Sequence, residues 1–392
     1  MIMRTKGDQS TTRAINRRLV LHCLRQHGDV SRVALVAMTK LSPASVTSVI
    51  ADLLAENYVE ETEAGVSKGG RRPIMLRINY RSHYVIGIKA SPNYIQAALT
   101  DLSTDMIQTI KIALPDHTPE TVVNRAAQAI CELMPDEAQR KKMLIGVGLC
   151  ISGLVDVENG VCLVSHRYGW RNVPIAAMLT KFVDVPVWID NDVNAYAIAH
   201  HLFGFGRLHR SMLAVVSGAG IGAGLIINGL IHRGARFAAG EVGRAYYETP
   251  EATNNDQRLN WESVLSEWSL MAQWDKFLKE NNHTAPADLA EAAEAGDAHA
   301  ANLLRTSGRE LGLRIATLID LVDPEIVVFG GEAVRFGPIY ATAIHEAVNK
   351  YSFESPPKIE FDWDNNLWVR GASALAVQRF FDFESVPGVR RA

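Results

Sequence analysis

The chain has 392 residues, 47% hydrophobic and 21% charged, with a formal net charge of −3. This is the composition of an ordinary globular protein of two or three domains, and it excludes a fibrous or disordered chain. The net charge hides an asymmetry: residues 1–80 carry twelve Lys/Arg against seven Asp/Glu, about +5, which leaves about −8 for the rest, so the basic end is the candidate nucleic-acid binder.

Residues Met1 to Thr12 are polar and lack the apolar middle of a secretory signal, and no run of eighteen apolar residues follows. A soluble cytoplasmic protein without membrane insertion is expected. Ile15, Leu19, Val20, Cys23 and Leu24 then follow helical spacing up to Gly28. Ser31 caps a short helix through Met38. After Leu41 and Ser42 a third helix opens with Pro43 and aligns Val46, Val49, Ile50, Leu53 and Leu54 on one face. Its other face, beginning at Ser42, is small and polar: Ala44, Ser45, Thr47 and Ser48 lie where a recognition helix meets the base edges and phosphates of double-stranded DNA.

From Tyr58 the pattern changes to two strands, Tyr58 to Glu61 and Ile74 to Ile78, joined by a glycine-containing loop. In that loop Lys68, Arg71 and Arg72 flank Gly69 and Gly70, so cations and bare backbone approach phosphates or a minor groove together. Three helices and a basic wing make a winged helix-turn-helix; a small helical protein-interaction module with a charged turn is the alternative.

Beyond Asn79, strand-like runs alternate with helical segments in an α/β pattern: Tyr84 to Lys89, Ile95 to Leu102, Leu144 to Ile151, Val185 to Ile189, Met212 to Ser217 and Ile326 to Phe329. An Asp-Asn-Asp run at 190–192 and a glycine-rich stretch from Ser217 to Gly224 punctuate it. On their own these read as a helix cap and tight turns. Cys23, Cys131, Cys150 and Cys162 lack CxxC spacing and read as reduced thiols.

The first eighty residues, through Asn16-Arg17 and the Gly-Gly-Arg-Arg-Pro wing at 69–73, resemble the DNA-binding half of ROK-family (repressor, ORF, kinase) sugar repressors of the glucose, N-acetylglucosamine and xylose type, and the likeness runs on through the chain. It implies a winged helix-turn-helix (1–80) followed by a two-lobed sugar kinase/actin-like, ribonuclease H-like body. The first lobe spans 81–195, with a C-terminal helix at 371–387 returning to it, and the second spans 196–370. Ligands of the family occupy the interlobe cleft.

By the same resemblance, Asn191 binds a sugar hydroxyl, and Asp192 stands where the kinases hold their catalytic base. Glu241 and Glu262 match carboxylates that hold further hydroxyls. Ser217 to Gly224 resembles a phosphate loop, and Asp323-Pro324-Glu325 to Gly331 a nucleotide-side turn; a purely structural role fits these glycines equally. Trp170, in the Gly169–Pro174 element, is either a sugar platform or core, and the small-residue run Gly371–Ala376 packs.

Two departures from the family stand out. Where the kinases have Asp-x-Gly-Gly-Thr, this chain reads Ile88-Lys89-Ala90-Ser91-Pro92-Asn93, without carboxylate or paired glycines. Phosphoryl transfer depends on positioning and charge neutralisation, so no catalysis is expected, and Asp192 is a vestigial base. The family's zinc is bound by a His after a Gly-Glu-x-Gly element and by three cysteines; here Arg244 follows Gly240-Glu241-Val242-Gly243 and no cysteine precedes Glu262, so neither metal nor cofactor is expected. Arg244 either meets an anionic effector, a sugar phosphate or sugar acid, or pairs with Glu241 or Glu262 beside a neutral sugar.

The expected protein is a homo-oligomeric repressor, dimer or tetramer, of sugar-metabolism genes that binds operator DNA and a sugar or sugar-derivative effector. The alternatives are a bifunctional sugar kinase and a repressor controlled by docking of a transport-system protein.

Overall fold

The computed structural model describes residues 9–62, 73–247, 259–362 and 366–381. The chain divides into two compact units, Met1–Asp192 with Val369–Ala392, and Val193–Trp368.

The first unit opens with α1 (Gln9–His27), β1 (Val30–Ser31), α2 (Arg32–Thr39), α3 (Pro43–Ala55), β2 (Val59–Thr62) and β3 (Met75–Ile78). Ser31 and Ser42 cap α2 and α3 by accepting from the amides of Ala34 and Ser45, and Lys40, with φ 57°, ends α2 in the left-handed conformation that turns the chain into α3. Val20, Leu21, Leu24, Leu35, Val46, Ile50, Leu53 and Leu76 are buried together in sequence-distant elements that form one small core. Ile15 and Leu19, expected on the buried face of the first helix, are exposed instead. The early turns of α1 are held by ion pairs to α3, Arg13 to Asp52 and Arg17 to Glu56, and the apolar contact begins only at Val20. The strands form an antiparallel sheet in the order β1-β3-β2, with Val30 opposite Leu76 and Val59 opposite Ile78. Two-residue β1 gives no periodic signal and is invisible to pattern reading.

Next come β4 (Tyr84–Ala90), β5 (Tyr94–Asp101), β6 (Met106–Ala113), α4 (Pro119–Leu133), α5 (Glu137–Met143) and β7 (Leu144–Ile151). A small sheet of β8 (Leu154–Asp156), β9 (Val161–Ser165) and β10 (Trp170–Val173) precedes α6 (Ile175–Leu179) and β11 (Val187–Asn191). The main sheet has the order β11-β7-β4-β5-β6; β4, β5 and β6 form an antiparallel meander, while β7 and β11 add in parallel. Ile86, Ile88, Val147, Leu149 and Ile189 line up on one face of this sheet and pack into a single core, while Gly87 and Gly148 lie on the other face.

Beyond α7 (Asp192–Phe203), the second unit holds β12 (Met212–Ser217), β13 (Ile221–Ile227), β14 (Leu230–Ile231), α8 (Trp261–Leu265), α9 (Glu267–Glu280), α10 (Leu289–Glu294), α11 (Ala298–Val322), β15 (Ile326–Gly330), α12 (Gly337–Tyr351) and β16 (Ile359–Phe361). Its sheet has the order β14-β13-β12-β15-β16, again an antiparallel meander of the first three strands joined in parallel by the last two. The two sheets therefore share one topology, the duplication expected of an actin-like, ribonuclease H-like body.

Finally α13 (Leu367–Phe381) supplies Val369 onward to the first unit. Its run Gly371-Ala372-Ser373 lies so close to the sheet that a Cβ on Gly148 of β7 would sit 1.8 Å from the Ala372 carbonyl oxygen, and one on Gly87 of β4 would sit 2.2 Å from that of Val369. Small residues on both sides are what permit this approach. Residues 382–387 of the expected closing helix lie outside the described residues.

Candidate functional site

On α3 the Ser42 hydroxyl, besides capping the helix, lies 2.8 Å from that of Ser45, and the Thr47 hydroxyl donates to the Pro43 carbonyl at 2.9 Å. Ser42, Ala44, Thr47 and Ser48 are exposed and Ser45 is half-buried, opposite the buried Val46, Val49, Ile50 and Leu53. The helix thus offers a face of methyls and hydroxyls, groups that contact thymine methyls, base edges and phosphates in a major groove. Lys68, Gly69, Gly70, Arg71 and Arg72 lie outside the described residues. On the sheet that carries that loop, Arg77 of β3 pairs with Glu60 of β2 at 2.6 Å, and Arg32 at the start of α2 pairs with Glu61 of β2 at 2.7 Å.

In the first unit, β11 delivers Asp190 and Asn191 and α7 begins at Asp192. The Asn191 side-chain amide donates to the Gly153 carbonyl at 3.0 Å, and its backbone amide donates to Asp190 at 2.8 Å, so local bonds hold it. Asp192 is paired with Lys89, which projects from β4 two strands away. The two side chains are only 9% and 13% exposed. Burial opposes the charge on Lys89, but attraction to Asp192, together with smaller contributions from Cys150, Tyr168 and the hydrogen bond to Asp192, outweighs it and raises the pKa above the ordinary lysine value. Around the pair, burial pushes the Cys150 thiol and the Tyr168 phenol each up to about 12, so both are neutral at pH 7. Lys89 belongs to the stretch in which the family's carboxylate is absent, and its own charge is a feature the family pattern does not point to. The available signal was a lysine inside the otherwise apolar Tyr84–Ala90 strand.

The turn after Lys89 is closed on itself. The Ser91 amide donates to the Tyr94 carbonyl at 2.9 Å, Pro92 has no amide hydrogen, and the Tyr168 hydroxyl and the His117 ring donate to the carbonyls of Ala90 and Pro92. A turn spending its polar groups this way offers no row of amides to a phosphate. Trp170 is buried beside Tyr168, with its indole N–H on the His117 carbonyl, so it is core.

In the second unit the expected glycine-rich loop proves shorter. Only Gly218 to Gly220 form the turn, while Gly222 and Gly224 lie in β13, paired with Val216 and Ala214. Within the turn the Gly218 amide donates to the Gly220 carbonyl at 2.9 Å. Carboxylates press on it: a Cβ on Gly218 would meet Glu332 Oε2 at 1.9 Å, and one on Gly220 would meet Glu262 Oε2 at 2.5 Å. Two carboxylates against a turn repel a phosphate rather than cradle it. Gly240, at φ 88°, and Gly243 pack against the carbonyls of Ala223 and Ile221 on β13, which fixes the short turn Val242–Arg244 beside α8. Arg244 Nη1 lies 3.8 Å from Glu262 Oε1, with the side chains 51% and 32% exposed, and Glu241 is exposed. The structure therefore brings Arg244, Glu262 and the glycine turn together in one unit, and Asn191, Asp192 and Lys89 in the other.

The zinc that the family resemblance implies does not fit these residues. Arg244 stands at the expected imidazole position and is engaged with a carboxylate, and a guanidinium cannot ligate a metal. The base of the neighbouring loop is fastened differently. Tyr247 donates its amide to Leu259 at 2.9 Å, and the Arg314 guanidinium lies 4.3 Å from the Tyr247 ring centre and 5.7 Å from that of Trp261.

Residues 85–379 match the ROK family. The chain is 27% identical over 382 residues to a xylose repressor of Bacillus spizizenii, spanning 96% of this chain and 98% of that one. Its fold superposes with a TM-score of 0.82 on the crystal structure of a ROK family transcriptional regulator described as a homologue of the Escherichia coli Mlc protein, at 24% identity over 95% of this chain and 97% of that one. A ROK hexokinase from Thermus thermophilus matches with a TM-score of 0.63 and 25% identity over 76% of this chain and 99% of that one. That structure accounts for the duplicated body, and the regulator accounts for the head as well. With three quarters of its length matched and both sheets in place, the chain belongs to the ROK family.

Proposed function

We propose that this protein is a sugar-responsive transcriptional repressor without catalytic activity. The observation that carries the reading is the pairing of an exposed Ala44-Thr47-Ser48 face on a three-helix winged head with a kinase-like body whose phosphate turns are closed or lined with carboxylates. The repressor-named relative of matching length supports it. Residues 1–80 form the DNA-binding domain. Ser42, Ala44, Ser45, Thr47 and Ser48 face the major groove, and Lys68, Gly69, Gly70, Arg71 and Arg72 meet phosphates or the minor groove. Two copies bind a near-palindromic operator, because a symmetric site needs a symmetric reader.

Asn191 and Asp192 in the first unit, and Glu241 and Glu262 in the second, are the residues suited to sugar hydroxyls. The Arg244–Glu262 pairing supports a neutral sugar over a sugar phosphate or sugar acid, since the cation already has a counter-charge. Effector binding changes operator affinity by its differential affinity for the two conformations of the dimer.

Gel shifts with the DNA upstream of the protein's own gene test this. D-Xylose, D-glucose or N-acetyl-D-glucosamine is expected to change the shift, and indifference to these and to their phosphates and acids would overturn the sensor. Arg71→Ala is expected to weaken binding to all sequences and to reduce the salt slope by about one, as loss of a phosphate contact does, whereas Ser45 or Thr47 changes alter sequence preference.

Asp192 at the end of β11 also suits a sugar kinase that binds DNA. The Lys89 pairing and the closed Ala90–Tyr94 turn oppose that reading, and no sugar-dependent ADP release is expected.

A further inference from the structure

We propose that Lys89 is a positioning residue for the effector: its ammonium holds the Asp192 carboxylate in place as a hydrogen-bond acceptor for a ligand hydroxyl. The inference rests on the sugar-sensing reading and deepens it.

Asp192 is in contact with a buried ammonium, so its carboxylate is not free to turn. The charged and titratable groups around the pair come from five places: Lys89 on β4, Cys150 on β7, Asp190 on β11, Asp192 at the head of α7, and Tyr168 with its neighbour Arg167 in the segment before β10. Cys150 and Tyr168 remain protonated far above neutrality, and the raised pKa of Lys89 keeps it charged. An oxygen fixed this way is placed to accept from a ligand hydroxyl.

The full-length protein tests this by titration calorimetry with D-xylose, D-glucose and N-acetyl-D-glucosamine between pH 6 and 9, with the folding of each variant checked by operator binding. Wild type is expected to bind one of these with an affinity that hardly changes with pH. Lys89→Met strands a carboxylate in a dry site, where its neutral form gains, so binding is expected to fall about tenfold or more at pH 7 and to recover as pH rises. Lys89→Arg, which keeps the cation, is expected to stay within about threefold of wild type. If Lys89→Met does not fold, Lys89→Met/Asp192→Asn removes both charges together and is expected to fold without binding sugar. Unchanged affinity with a flat pH profile in Lys89→Met, or wild-type binding by the double variant, would overturn the positioning role and leave sugar sensing intact. Failure of wild type to bind any of the three sugars would overturn sugar sensing and this role with it.

Discussion

Two ion pairs with the same inventory, one cation and one carboxylate, lie in the two units and do different work. Lys89–Asp192 is buried between the end of a strand and the start of a helix, in contact, with neutral Cys150 and Tyr168 around it. Arg244–Glu262 is about half exposed and 3.8 Å apart. Attraction between charges scales inversely with the local dielectric, so the first pair constrains the structure and the second is largely screened by water. A family resemblance assigns Asp192 and Glu262 to one task, holding hydroxyls. Their surroundings differ: one is buried in contact with its cation, the other is partly exposed and set apart from it.

The comparison is most easily broken at Lys89. Removing one partner of a buried pair leaves an uncompensated charge, so Lys89→Met is expected to cost about 3–5 kcal/mol in urea unfolding, while Lys89→Met/Asp192→Asn recovers most of it. Because the pKa of Lys89 is raised, its contribution in the wild type is complete below the ordinary lysine value and is lost only as pH climbs through the raised one, so wild-type stability loses nothing from this group up to pH 9. A loss under about 1 kcal/mol would mean that water reaches the pair and that the contrast with Arg244 is one of distance alone.

Asp192→Asn ranks next. It removes the charged acceptor, at an expected cost of about 1.5–3 kcal/mol in effector affinity, tenfold or more, with operator binding intact. Effector titrations of the operator complex measure both. Loss of operator binding together with the effector response would make Asp192 a structural residue of the first unit.

How much of this the sequence disclosed depended on the range of the interactions. Ser31, Ser42 and Pro43 announce their helices through local capping chemistry, and the strands at Leu144–Ile151 and Met212–Ser217 are legible as apolar runs between turns. Short β1 and the mostly exposed β6 carry no comparable signal and emerge only from pairing with β3 and β5. The glycines of 217–224 read as one loop because composition does not separate a turn from a strand that must pass close to Val193 and Ala197. Asn191 and Asp192 were visible through family resemblance. Lys89 was not, since its meaning depends on a carboxylate 103 residues away.

The smallest expected effect is the most discriminating for the second unit. Arg244→Ala removes an exposed, widely spaced pair, so the stability change is expected to stay within about 1 kcal/mol and to shrink further in 0.5 M salt, where screening acts over a few ångströms. The same variant separates the two roles open to this cation. If Arg244 only balances Glu262, sugar affinity changes little and sugar phosphates bind neither wild type nor variant well. If it reads an anionic effector, wild type binds a sugar phosphate or sugar acid and Arg244→Ala loses about tenfold or more of that affinity, the size of a charge-assisted hydrogen bond. That second outcome would reverse the comparison. The exposed pair would then be the one set aside for an anion, with Glu262 as a placeholder, and the buried pair would remain a constraint within its own unit.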